Sequence, residues 1–162
     1  MTILRWGSAM TIRLTLDEAW EAVGAAHTGI LTTLRRDGMP IALPVWFVVD
    51  DRTIAMMTPA GTKKIARVRH DPRASFLVES GECWAELRAV HFTGRVEIIK
   101  DANAVSRIDA AVTAKYGAFR PAGASLPAAT QAYYANQVLL RFVPEGRTLT
   151  WDNARIAMRQ PR

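Results

Sequence analysis

Two adjacent lysines, Lys63 and Lys64, stand where a helix should begin, and that is the wrong charge for the position. They close the run Thr58-Pro59-Ala60-Gly61-Thr62-Lys63-Lys64. A strand-like segment, Thr53-Ile54-Ala55-Met56-Met57, precedes it, and a helix-like one, Ile65-Ala66-Arg67-Val68-Arg69, follows. Gly61 allows a tight turn, and Thr62 is a favoured N-cap residue. The helix dipole attracts anions at this end, each worth about 0.3–1 kcal/mol. Two cations beside free backbone N–H groups are explained if an anion, most simply a phosphate, binds between them. A solvated lysine pair on a surface turn is the competing reading, and the strand–Gly–Thr–helix setting keeps both open.

Other chemistry-bearing residues point nowhere as definite. Cys83 is the only cysteine, which excludes an intramolecular disulfide and any multi-cysteine metal site. No histidine lies next to it in the sequence, so it is no obvious nucleophile. His27, His70 and His91 lack metal-ligand spacing. His91 is expected to pack in the protein or at an interface, with haem ligation by His91 or His70 a minor alternative. Glu86 and Arg88 are expected to pair across strands at a subunit interface, or else to line a substrate pocket. Arg67 and Arg69 read as a solvated helix face, and Trp20 as a core anchor. Trp46 either packs in the protein or touches a cofactor. No Ser-His-Asp order, paired catalytic carboxylates or Walker-type loop is present.

The elements that must position the lysine turn can be read in chain order. Thr15 and Glu18 form a capping box that opens a helix to about Ala25, with Leu16, Ala19, Trp20 and Val23 on one side. Gly29 to Arg35 reads as a strand and Asp37-Gly38 as a hairpin turn. Ile41 to Val49 is apolar on both faces, which predicts a central, buried strand. Asp50-Asp51-Arg52 turns into Thr53–Thr58, and the basic helix ends near Asp71-Pro72. Ala74–Glu79 is a strand, and Trp84–Lys100 a long one with Gly94 marking a bulge or bend. Asp101 caps a helix with Val105, Ile108, Val112 and Tyr116 on its apolar face and Gly117 as its stop. Pro127 starts a short helix to about Asn136. Val138–Val143 and Thr148–Trp151 are expected to form a final hairpin. Six or seven antiparallel strands with peripheral helices give an α+β fold around a closed or nearly closed barrel.

Composition sets the frame. The chain has 162 residues, 49% apolar and 22% charged, which suits one globular domain. Residues 15–162 are expected to form that domain, with 1–14 as a loose leader. Met1 and Met10 both remain open as starts. No apolar run approaches a membrane span, no secretory signal is seen, and a cytoplasmic location is expected. The net charge of +6 is focal: five basic residues and one acidic lie between Gly61 and Arg73, and the remainder is close to balanced. A nucleic-acid surface spreads its charge and interleaves aromatics. The focal charge suits a small anionic ligand better, so neither nucleic acid nor membrane is the expected partner.

The ordered blocks resemble the flavin-binding split-barrel superfamily that includes pyridoxamine-phosphate oxidase. They are Leu31-Thr32-Thr33, Asp37-Gly38-Met39-Pro40, Pro44-Val45-Trp46-Phe47, Thr58, Gly61-Thr62-Lys63-Lys64, Asp71-Pro72-Arg73-Ala74-Ser75 and Gly94-Arg95-Val96-Glu97. Near the C-terminus, Leu140-Arg141-Phe142-Val143-Pro144 and Thr150-Trp151-Asp152 complete them. The resemblance implies a Greek-key split barrel and a homodimer with the cofactor at the subunit interface. It implies that Thr58, Thr62, Lys63 and Lys64 hold the phosphate of FMN, with Gly61 among the cofactor-binding residues. It further implies that the Pro44–Phe47 backbone faces the isoalloxazine ring and that Trp151 lies near the ring, in many members from the second subunit.

The departures are as informative. Family oxidases of vitamin B6 carry an Arg and a Lys where this chain has Leu43 and Val48, and a Gln where it has Ala89. Their C-terminal Arg-x-His motif has no counterpart after Trp151. The Pro-x-Trp strand is similar to the branch that binds FMN or a deazaflavin coenzyme. The expectation is therefore a flavin-dependent oxidoreductase acting on an unidentified small molecule, with pyridoxamine-phosphate oxidation absent. A deazaflavin-dependent reductase and a non-enzymatic flavin or haem carrier are the alternatives. Substrate preference is expected to reside in loops such as Ser80–Cys83 and Arg120–Leu126.

Overall fold

The computed structural model describes residues 12–121 and 125–156. Its strands are β1 (Gly29–Leu34), β2 (Pro40–Val45), β3 (Val48–Asp50), β4 (Thr53–Pro59), β5 (Arg73–Ser80), β6 (Arg88–Ile99), β7 (Gln137–Pro144) and β8 (Leu149–Asp152). They form one antiparallel sheet of eight strands in the order β2-β1-β5-β6-β7-β4-β3, with β8 pairing β6. The sheet curls into a split barrel, and four helices complete the α+β fold: α1 (Leu16–Ala25), α2 (Lys63–His70), α3 (Ala102–Tyr116) and α4 (Ala128–Ala135).

Local chemistry explains the joints. Thr15 Oγ1 accepts the Glu18 N–H at 3.3 Å while a Glu18 carboxylate oxygen accepts the Thr15 N–H at 2.7 Å, closing the expected capping box on α1. Gly38 has a φ of 81° at the β1–β2 turn. At the β3–β4 turn both Asp51 (φ 46°) and Arg52 (φ 55°) are left-handed, the geometry that matches a two-residue hairpin to strand twist.

Alternation along the strands builds the core. Leu31, Phe76, Val78, Val90, Phe92, Val96, Leu140 and Phe142 fill the barrel with Phe47, Ile54 and Met56. Ala19 and Val23 of α1 join them, and Trp20 stacks on Phe92 at 4.8 Å, so Trp20 is the anchor expected. A second cluster joins α3 to the sheet through Ile108, Val112 and Tyr116 against Val48, Ala55 and Leu139.

Three expectations about the strands are corrected. Ile41–Val49 is not one central buried strand: it breaks at Trp46-Phe47 into β2 and β3, which lie at the two ends of the sheet order. Ala42, Leu43 and Pro44 are exposed, so an all-apolar run here marks an uncovered edge and not a buried centre. The long strand starts at Arg88, because Trp84–Glu86 forms a short 3-10 turn. Trp84 and Glu86 therefore do not share a strand face with Val90 and Phe92. The last two strands are not a hairpin. β7 pairs the far half of β6 (Gly94↔Pro144 to Ile99↔Leu139), and β8 continues along the same strand (His91↔Leu149 to Arg88↔Asp152). The step between them is pinned to Thr93, whose carbonyl accepts the Glu145 N–H at 2.8 Å. Splitting at Trp46-Phe47 turns the seven expected segments into eight strands among the described residues.

Gly94 has a definite reason to be glycine. A Cβ there would lie 2.1 Å from the Val143 carbonyl oxygen, so β6 and β7 approach too closely for any side chain. Most of the expected leader lies outside the described residues. Ile12 and Leu14 are tied to the end of the sheet: Asp152 N donates to Ile12 O at 2.7 Å, and Leu14 N to Thr150 Oγ1 at 2.9 Å.

Candidate functional site

The lysine turn is formed as the sequence suggests, with one difference. β4 ends at Pro59, the Ala60 N–H donates to Asn136 O at 3.0 Å, and α2 starts at Lys63 with Thr62 at its N-cap. The Thr62 side chain makes no capping bond, however. Its Oγ1 is buried and has no hydrogen-bond partner. A buried hydroxyl left alone costs about 1–3 kcal/mol. Lys63 is exposed and Lys64 half-buried at the same helix end, where the first N–H groups have no intrahelical acceptor. Burial, and then the neighbouring Arg67 charge, holds the Lys64 ammonium below the usual lysine range. A bound anion would relieve that repulsion and give Thr62 an acceptor. Over Gly61 the space is open: an added Cβ meets nothing within 4 Å. The donor set and the orphaned hydroxyl fit a phosphate monoester.

Arg67 is not part of a solvated face. Its Nε donates to the buried Thr33 Oγ1 of β1 at 2.8 Å and fixes α2 across the barrel. Arg69 is exposed, as expected.

The structure places Thr58 near the end of β4, where it is buried, puts Gly61, Thr62, Lys63 and Lys64 on the turn and helix start that follow, and places the other candidates elsewhere. Pro44 is exposed on β2, and Val45 faces the core. Trp46 stacks face to face on Tyr116, with ring centroids 4.5 Å apart and planes within 3°. Phe47 is fully buried, and its backbone polar groups are engaged by Tyr116 and Lys115. Trp151 is exposed on β8, opposite Ala89 of β6; β6 and β7 separate it from β4 in the sheet.

Other groups were invisible in the sequence. His27 lies edge-on to Phe119 at 4.6 Å, Tyr116 at 5.2 Å and Trp46 at 6.0 Å, and the Arg120 guanidinium is 5.7 Å from the Trp46 ring. These contacts join segments far apart in the chain, so no local spacing announces them. His70 is exposed, His91 is half-buried on β6, and no cluster of metal ligands exists among the described residues. Arg88 faces Asp152 at 3.7 Å and is not paired with Glu86. The Arg120–Leu126 loop lies partly outside the described residues. No helix among the described residues is long and apolar enough to cross a membrane.

Two open clefts mark the surface. One of about 460 Å³ lies between the end of α1 and the β5–β6 ends, and one of about 540 Å³ crosses the outer faces of β1, β5 and β6. Neither is lined by the lysine turn.

Comparison with known proteins gives a consistent picture. No curated protein matches the chain. A conserved hypothetical protein, Rv2991 from Mycobacterium tuberculosis, is 29% identical with a TM-score of 0.77, covering 93% of this chain and 92% of that one. A FAD-binding protein from Mesorhizobium loti is 21% identical with a TM-score of 0.64 over 83% of this chain and 90% of its own. A protein described as an F420 reductase is 20% identical with a TM-score of 0.60 over 80% and 94%. The last two likenesses concern the fold. The model of the pyridoxamine 5'-phosphate oxidase family matches residues 16–151, and with this sheet order and this helix arrangement the chain belongs to that family.

Proposed function

We propose that this protein is a flavin-dependent oxidoreductase that binds FMN and acts on a small molecule other than pyridoxamine phosphate. The observation that carries the reading is the buried, unpartnered Thr62 hydroxyl beside Lys63 and Lys64 at the start of α2. Thr62, Lys63 and Lys64 hold the phosphate, with Thr58 and Gly61 shaping the turn. The exposed β2 edge at Pro44 and the Trp151 ring are the surfaces offered to the flavin ring. A bound flavin supplies the hydride chemistry; the chain binds, orients and screens.

The working unit in this reading is a homodimer with the cofactor at its interface, acting in the cytoplasm. Support comes from one row of residues across the outer sheet face: Pro44, Ile30, Leu77, His91 and Leu149 are direct cross-strand neighbours on β2, β1, β5, β6 and β8. No fixed charge interrupts the row, and each member is half-buried or exposed. Such a face suits a second copy.

A deazaflavin coenzyme is the second reading. Leu43 and Val48 offer no charge to a ring, and the F420 reductase shares the fold. The absorbance spectrum of the purified protein separates these, because the two coenzymes carry different chromophores. A haem Soret band, or no FMN binding on titration, would refute the main reading. Light scattering should give about twice the 17.9 kDa of one chain, and Leu77→Glu should give the monomer. A wild-type monomer would refute the interface site.

A further inference from the structure

We propose that Arg67 is a third cation of the phosphate turn, and that with Lys63 and Lys64 it makes the site select a phosphate monoester, a dianion, over a singly charged phosphodiester. The inference rests on the phosphate-turn reading and names the chemical class of ligand that the turn prefers.

Helical spacing puts the three charges on one side of α2. Lys64 and Arg67 are three residues apart, and Lys63 and Arg67 four, the separations at which helix side chains are neighbours. Like charges so placed repel. α2 contains no acidic residue, and among the described residues no carboxylate forms an ion pair with any of the three. Positive charge is therefore concentrated where the helix dipole is already positive, and nothing among the described residues neutralises it.

The Arg67 guanidinium is held in place and only partly engaged. Its Nε donates to the buried Thr33 Oγ1 at 2.8 Å, which occupies one of its five donors. Nη1 and Nη2 have no acceptor among the described residues. They are the part of the fork that grips two oxygens of one phosphate. Arg67 is half-buried, so salt screens a contact there less than it would at the surface. Burial, and then the charge of Arg67, holds the Lys64 ammonium below the usual lysine range. Two cations close enough to repel can share one anion. A monoester brings about 1.5 to 2 negative charges at pH 7 and three terminal oxygens. Lys63, Lys64, Arg67 and the orphaned Thr62 hydroxyl match that ligand in charge and in donors. A diester offers one charge and two such oxygens.

Fluorescence titration of the full-length protein with FMN and with riboflavin 4′,5′-cyclic phosphate tests this. The second probe keeps the ring and the phosphorus but closes the phosphate into a singly charged diester. Wild type should bind FMN at least about tenfold more tightly than the cyclic diester. Arg67→Met should lose about tenfold for FMN and leave the cyclic diester within about twofold. A residue that merely braces α2 would weaken both probes alike. Arg67→Lys, which restores a charge without the fork, should recover part of the lost FMN affinity. Thermal melts establish that each variant is folded. Equal affinity of the wild type for the two probes would overturn the proposal without any variant. So would a folded Arg67→Met protein that binds FMN as before, or that weakens both probes equally. A wild type that binds neither probe removes the phosphate-turn reading itself, and this inference with it.

Discussion

The Tyr116 hydroxyl sits on the backbone of Phe47: it accepts the Phe47 N–H at 3.0 Å and lies 2.8 Å from the Phe47 carbonyl oxygen. It is also 2.9 Å from His27 O. One phenol therefore satisfies the polar groups exposed where the apolar run breaks between β2 and β3. Lys115 Nζ adds bonds to Ala26 O at 2.8 Å and Phe47 O at 3.2 Å, and burial lowers its ammonium below the usual range. Together they clamp the end of α1 and the β2–β3 break to α3.

Tyr116→Phe should destabilise the protein by about 1–3 kcal/mol, because it leaves a buried N–H without an acceptor while keeping the ring. Chemical denaturation measures this. An unchanged midpoint would show that the Trp46–Tyr116 stack carries the joint without the hydroxyl.

Lys63→Ala with Lys64→Ala should weaken FMN binding by roughly 1.5–3 kcal/mol for each charge-assisted bond lost. The site is partly exposed, so binding should also weaken as salt rises. Fluorescence titration of the double variant reads both effects; wild-type affinity would remove the phosphate assignment.

Two glycines should differ sharply in their response to alanine. Gly94→Ala drives a methyl group to 2.1 Å from a backbone oxygen, and such overpacking costs about 1–3 kcal/mol. That corresponds to a fall in Tm of several degrees for a chain of this size, on the order of 2–4 °C per kcal/mol. Gly61→Ala meets open space and should leave stability within about 0.5 kcal/mol. Melting curves of the two variants, run side by side, test the contrast.

Acid should erode the α1 anchor. The Thr15 backbone N–H, and then Arg155 and the Thr15 hydroxyl, hold the Glu18 carboxyl at about 2 against an ordinary 4.5. A carboxylate depressed in the folded state contributes stability that is fully present above pH 4.5 and is lost as pH falls towards 2. Asp71, lowered to about 2 by Arg73, acts in the same direction. Glu18→Gln should therefore flatten part of the acid limb in a plot of Tm against pH between 2 and 6. A limb identical to wild type would show that the capping box contributes no linkage.

Pyridoxine phosphate should not be turned over above the rate of free flavin. Leu43 is exposed and uncharged, Val48 is buried, and Ala89 is buried and offers no polar group. Sites that recognise a polar substrate lose ~10⁴ or more when its partners are missing. A steady-state rate of about one per second would contradict this.

Short-range chemistry was legible in the chain itself. The capping box of α1, the Asp37-Gly38 turn, the Asp101 cap of α3 and the start of α2 at Lys63 each depend on neighbours within a few residues. Their spacing alone sets them. The lysine turn was legible for the same reason, since strand, glycine, threonine and lysines are contiguous. Tertiary structure decided what long-range pairing controls. Whether Ile41–Val49 was centre or edge depended on which strands flank it, and apolar content is silent on that. The place of β8 depended on the pinned step at Thr93 and Glu145. The orphaned Thr62 hydroxyl, the Arg67–Thr33 bond and the Tyr116 clamp exist only once segments tens of residues apart are packed together. A sequence names the groups that can bond; the fold determines which of them find a partner and which are left facing a space.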